Sequence, residues 1–182
     1  DILETYINYF TIVKNELLYS ASLTDEDRLF LTDTLSINIL RSTQTIKNKK
    51  LDTSTFESRL HTEIFTEELN NQIFNYVVNF WAETGPVQMN ALRDLFAKFM
   101  GLNKIIQDDA SFQEMCHCWL KNISKIPNTL KVQYYLIEAL SNDIDLFEIM
   151  EDKPDFFQTS LSLMNLDSLS TPISKCLVSM LL

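Results

Sequence analysis

Two glycines, Gly85 and Gly101, and four prolines are all that punctuate this chain of 182 residues. Tight-turned β folds spend such residues at nearly every reversal, so a chain this poor in them is predicted to be helical. The apolar spacing agrees. Ile2, Tyr6, Phe10, Val13 and Leu17 recur at steps of three and four, which lines them along one face of a first helix reaching about Ser20. Thr24 and Asp27 stand in the relation of a capping box and open a second helix bearing Leu29, Leu31, Leu35, Ile39 and Leu40. From Ser42 to Thr53 the pattern lapses into polar residues with Lys47, Lys49 and Lys50 close together, which reads as a surface connection and a possible sub-boundary.

The later segments repeat the habit. Ser54 to Glu57 reads as another capping box, and Thr66 caps a stronger helix with Glu67 and Glu68 at its positive end and Leu69, Ile73, Val77 and Trp81 on its inner face. Gly85-Pro86 ends that helix and starts the next, which Gly101 is expected to end or kink. Asp109 caps a helix that runs to Pro127, Asn128 caps one that runs through Leu140, and Asn142, Lys153-Pro154 and Thr171-Pro172 each open a further one.

Composition sets the class. With 46% hydrophobic and 22% charged residues, the chain has the balance of a folded globular domain rather than of a disordered or membrane-embedded one. Fifteen basic residues face 25 acidic ones, a net charge of −10, so attraction to a phosphate backbone has to come from a local patch and nucleic acid is disfavoured as the main ligand. No apolar run approaches the roughly 20 residues needed to cross a bilayer, which argues against a membrane partner. The chain starts at Asp1 without a leader and stops in the apolar run 177–182, so it is expected to be one helical-repeat domain, 1–182, cut from a longer polypeptide. Cys116, Cys118 and Cys176 are odd in number and two of them are neighbours but one, which suggests no disulfide framework and an intracellular setting, cytoplasmic or nuclear. Asn122-Ile123-Ser124 matches a glycosylation acceptor but falls in a strongly helical pattern.

Short capped helices following one another, with proline at their starts, resemble the HEAT and armadillo solenoids, most clearly from Asp109 to Leu182. Repeats of that kind run about 40 to 47 residues. Thr66 and Asp109 are 43 residues apart, as are Asn128 and Thr171. The resemblance implies an all-α fold of eight to ten antiparallel helices stacked as a solenoid, contacts with flanking repeats, and a non-catalytic protein-binding scaffold within a larger assembly. A compact helical bundle is the alternative.

Reaction chemistry is not expected. Cys116-His117-Cys118 has zinc-ligand residue types, but on a helix residues two apart diverge by about 200 degrees and cannot both face one metal. Only His61 and Cys176 are left as soft partners, so no metal or other cofactor is assigned. No nucleophile, phosphate-cradling or metalloprotease motif occurs, and Glu67-Glu68 and Asp108-Asp109 are explained as helix starts.

Two charged stretches are candidate binding surfaces. Asp143, Asp145, Glu148, Glu151, Asp152 and Asp155, against the single Lys153, would steer a basic partner. Tyr134, Phe156 or Trp81 would anchor one if they lie off the core. Lys47, Lys49 and Lys50, with Arg41 upstream and Lys121, Lys125 and Lys131 elsewhere, are a candidate phosphate or RNA contact. That contact carries the alternative of a scaffold partnering an RNA-modifying or ribosome-assembly enzyme, beside a karyopherin-like transport receptor argued from fold analogy.

Overall fold

The computed structural model describes the chain apart from residues 84–85, 142 and 144–148, and the side chains of 81–83, 86–90, 150 and 152 lie outside the description too. Every regular element among the described residues is helical. In chain order they are α1 (Ile2–Tyr19), α2 (Asp25–Asn48), α3 (Ser54–Arg59), a π turn (Leu60–Ile64), α4 (Glu67–Glu83), α5 (Pro86–Ile106), α6 (Asp109–Ser124), α7 (Lys131–Leu140), α8 (Ile149–Asp152), α9 (Phe156–Leu163) and α10 (Asp167–Leu181). None of the described helices is long and apolar enough to cross a membrane. The chain forms two compact units, residues 1–80 with 90–109 and residues 81–89 with 110–182.

In the first unit α1 and α2 run antiparallel. Arg28 near the start of α2 donates to Leu17 O at 2.7 Å and Ser20 O at 3.1 Å, while Asn38 further along reaches the hydroxyl of Tyr9 at 3.4 Å. Ile7, Phe10, Leu17, Leu35 and Ile39 are buried, each worth about 1.5–3 kcal/mol of transfer free energy. The Thr24–Asp27 capping box is present: Asp27 Oδ2 accepts from Thr24 N at 3.0 Å and Thr24 Oγ1 accepts from Asp27 N at 3.1 Å. Those bonds from the Thr24 backbone and hydroxyl hold the Asp27 carboxyl below its usual range. Arg59 ties α3 to α1 through Glu4 at 2.5 Å, and Lys14 donates to Glu63 O in the π turn at 2.6 Å.

A buried amide network fixes α4 against α5. Asn70 Nδ2 donates to Phe65 O at 3.2 Å and to Asn103 Oδ1 at 3.1 Å, Gln107 Nε2 donates to the same Asn103 oxygen at 2.7 Å, and Asn103 Nδ2 donates to Phe99 O at 3.0 Å. Around it pack Phe65 with Phe99 and Phe74 with Phe96, at centroid distances of 5.9 and 6.3 Å.

The second unit is organised on α7, whose Val132, Gln133, Tyr134, Leu136, Ile137 and Leu140 are all buried. A helix apolar on nearly every side has to be wrapped by its neighbours. It packs on α10, which contributes Leu169, Ile173, Cys176, Leu177 and Met180 at steps of three and four. Phe156 of α9 meets Tyr134 at a ring distance of 6.2 Å, and Trp119, Leu120 and Ile123 of α6 are also buried.

Several local expectations are corrected. The polar stretch from Ser42 is helical as far as Asn48, with the hydroxyls of Ser42, Thr43 and Thr45 donating back one turn to the carbonyls of Asn38, Ile39 and Arg41 at 2.7, 2.9 and 2.9 Å. Ile46 is buried and carries the Leu35–Ile39 stripe onward. Thr53, not Ser54, precedes α3, and Asp52 rather than a capping box serves its start, accepting from Ser54 N at 2.9 Å. Gly101 does not end a helix but lies exposed within α5, which runs on to Ile106. Asn128 is no cap, since α7 begins at Lys131 after Leu130. Thr171 and Pro172 lie inside α10, which begins at Asp167. Ser124 of the glycosylation-like triplet is buried in α6 with its hydroxyl on Lys121 O at 2.7 Å.

Candidate functional site

The acidic run begins and ends on pinned backbone. At its start Gln113 Nε2 of α6 donates to Asp143 O at 2.8 Å. Near its end the Lys153 ammonium is drawn inward, donating to Ile126 O and to Asn128 Oδ1, each at 2.7 Å. Burial depresses the pKa of Lys153, since desolvation disfavours the charged amine. Ile149 of α8 is buried and holds the middle. Glu151 and Asp155 are exposed and Asp143 is half-buried. Asp145 and Glu148, and the side chain of Asp152, lie outside the described residues. The cation nearest these acids in sequence therefore spends its charge on two neutral oxygens and leaves Glu151 and Asp155 uncompensated by it. Sequence reasoning missed the Lys153–Asn128 pair because it took both residues as helix starts, Asn128 as a cap and Lys153 with Pro154 as an opening.

The basic group sits on a helix end rather than in a loop. Arg41, Lys47, Lys49 and Lys50 are all exposed. Lys49 N donates to Thr45 O at 3.1 Å, Lys50 N to Lys47 O at 2.9 Å and Leu51 N to Ile46 O at 3.2 Å. The last two bonds form a Schellman motif, in which the residue after the cap takes a left-handed conformation that glycine favours. Here that residue is Lys50, at φ 55°, the one non-glycine with positive φ among the described residues. In the second unit Lys121 and Lys125 are exposed and Lys131 is half-buried.

The remaining candidates resolve into structure. Tyr134 and Phe156 are core residues and offer no partner anchor, because the all-round burial of α7 draws Tyr134 inward and its hydroxyl donates to Asn128 O at 2.7 Å. The side chain of Trp81 lies outside the described residues. Cys116 and Cys176 are buried while Cys118 is exposed. Burial, and then the charge of Glu138, pushes the Cys176 thiol up to about 12, leaving it protonated and unreactive. No group of three or more His, Cys, Asp or Glu that could hold a metal ion occurs among the described residues.

A cleft of about 230 Å³ opens in the first unit beside Leu17, Arg28, Gln72, Ile73 and Tyr76. It is smaller than the roughly 300–1,000 Å³ of ordinary ligand pockets. Its polar groups serve helix ends. Besides the two bonds from Arg28, Gln72 Nε2 donates to Leu17 O at 3.3 Å, and the Tyr76 hydroxyl donates to Asp25 O. Burial, reinforced by the charge of Asp25, raises the Tyr76 pKa and keeps it a neutral donor. α1 has no basic residue in its last turn, and Arg28 and Gln72 take that place at its carbonyls.

Comparison of the chain with protein-family models and with solved structures gives no match.

Proposed function

We propose that this chain is a non-catalytic protein-binding segment of a larger intracellular assembly, and that it captures a basic partner on the acidic run of its second unit. The observation that carries this reading is the inward turn of Lys153 onto Ile126 O and Asn128 Oδ1, which leaves Glu151 and Asp155 exposed beyond it. Complementary charge of this kind raises the rate of encounter and sets register more than it adds affinity. In this reading the helices stack as a HEAT/armadillo-like array, flanking repeats cover its ends, and no cofactor takes part. Support for an intracellular setting comes from three free cysteines, Cys118 among them exposed.

The test is the anisotropy of a labelled lysine-rich peptide titrated with the chain across a range of salt. Binding is expected to weaken with salt and to fall by an order of magnitude in Glu151→Lys/Asp155→Lys. Glu16→Lys, an exposed charge reversal on α1, is the control and should leave it intact. Peptide binding that ignores the double reversal, or falls equally with the control, removes the acidic run as the site.

A further inference from the structure

We propose that the C-terminal end of α2 binds the phosphate backbone of a single nucleic-acid strand, a site separate from the acidic run. Arg41, Lys47, Lys49 and Lys50 have no hydrogen-bond or ion-pair partner for their side chains among the described residues. The nearest carboxylate in sequence, Asp52, is turned to α3, with Oδ1 accepting from Ser54 N at 2.9 Å and Oδ2 from Ser54 Oγ at 2.7 Å.

The ordinary structural reason for lysines here is that they satisfy the carbonyls of a helix C-terminus. That task is already done by backbone: Thr45, Ile46 and Lys47 carbonyls accept from the N–H groups of Lys49, Leu51 and Lys50. Moreover, Lys50 occupies a left-handed position where a side chain costs about 1–2 kcal/mol that glycine would not. Free cations and a strained lysine at one turn are two independent observations, and an anionic ligand accounts for both.

The surface leading to that turn suits a nucleic-acid strand better than a lipid headgroup. Asn38, Arg41, Thr45 and Asn48 recur at steps of three and four, so they share one strip of α2 roughly 15 Å long. At the strip's start Asn38 meets the hydroxyl of Tyr9, which is 45% exposed. A half-exposed ring can stack an unpaired base while cations further along hold the backbone, and a base in a duplex is not available for that.

The test measures anisotropy of labelled oligouridylate of about twelve nucleotides, and of the DNA strand of like sequence, from about 50 to about 200 mM salt. Four phosphate contacts predict a log–log salt slope of about −3, a loss of about fifty-fold over that range. Lys47→Glu/Lys49→Glu/Lys50→Glu should bind at least tenfold more weakly at low salt with a collapsed slope, and Tyr9→Leu several-fold more weakly. Lys121→Glu/Lys125→Glu in the second unit should bind as wild type. Lys50→Gly guards against misfolding, because it should melt at higher temperature yet bind more weakly. No binding at low salt, equal binding by the triple variant, or equal loss in the Lys121/Lys125 variant overturns the site. Preferential capture of phosphatidylserine vesicles over either oligonucleotide overturns it in favour of lipid. RNA binding without DNA binding, or the reverse, supports the site and names the strand.

Discussion

Both compact units bury amide side chains, and they treat them differently. In the first unit Asn70, Asn103 and Gln107 share one oxygen and form a network between α4 and α5. In the second unit Gln133 is 0% exposed, and neither its Oε1 nor its Nε2 has a hydrogen-bond partner among the described residues. An amide in a network fixes register at little net cost, whereas an orphan amide bears its desolvation penalty alone. The first unit is therefore specified by its polar core, and the second holds together by apolar packing despite a polar residue on its central helix.

The largest expected effect breaks the shared amide network. Asn103→Leu removes the acceptor shared by Asn70 and Gln107, and should destabilise the first unit by about 2–4 kcal/mol. Amide hydrogen exchange read separately over α4–α5 and over α7–α10 checks this. Protection should fall in the first group, and equal loss in both groups would show that the network is not local in its effect. The opposite sign is expected next. Gln133→Met exchanges an orphan amide for an apolar side chain of similar length and should stabilise the second unit by about 1–3 kcal/mol. A chemical denaturation midpoint that drops would mean that Gln133 has a partner in solution.

How much of this was legible depends on where the hydrogen bonds go. The stripes of α1 and the Thr24–Asp27 box were readable because apolar spacing and capping chemistry are local in sequence. The Ser42–Asn48 end of α2 was not, because a run of hydroxyls looks like a loop until Ser42, Thr43 and Thr45 are seen donating back one turn. Asn128 and Thr171 matched helix starts by residue type, but Asn128 is occupied by Lys153, and Leu166 precedes α10. The lysine group could be placed at the surface from polarity alone, though not on a helix end. Counting charges located the acidic run, yet no count tells whether an ammonium such as that of Lys153 faces water or a pair of oxygens 25 and 27 residues away.

Two smaller effects sharpen the comparison from within the first unit, where glycine and side chain are exchanged relative to what the backbone prefers. Lys50 sits at the left-handed position after α2, and Lys50→Gly should stabilise that unit by about 1 kcal/mol while leaving the second unit's exchange unchanged.

Gly101 is the converse. It lies within α5 at negative φ, and a Cβ built there meets nothing within 4 Å. Gly101→Ala therefore adds no clash and restricts the unfolded chain, for a gain of about 0.8–1 kcal/mol. Because Asn103 lies two residues further along the same helix, stiffening α5 should also raise exchange protection around the network. A melting temperature raised by about 2–4 °C with protection gained in α4–α5 meets the expectation. A fall in either would mean that α5 needs a flexible point at Gly101, and that the first unit, not the second, is the one under strain.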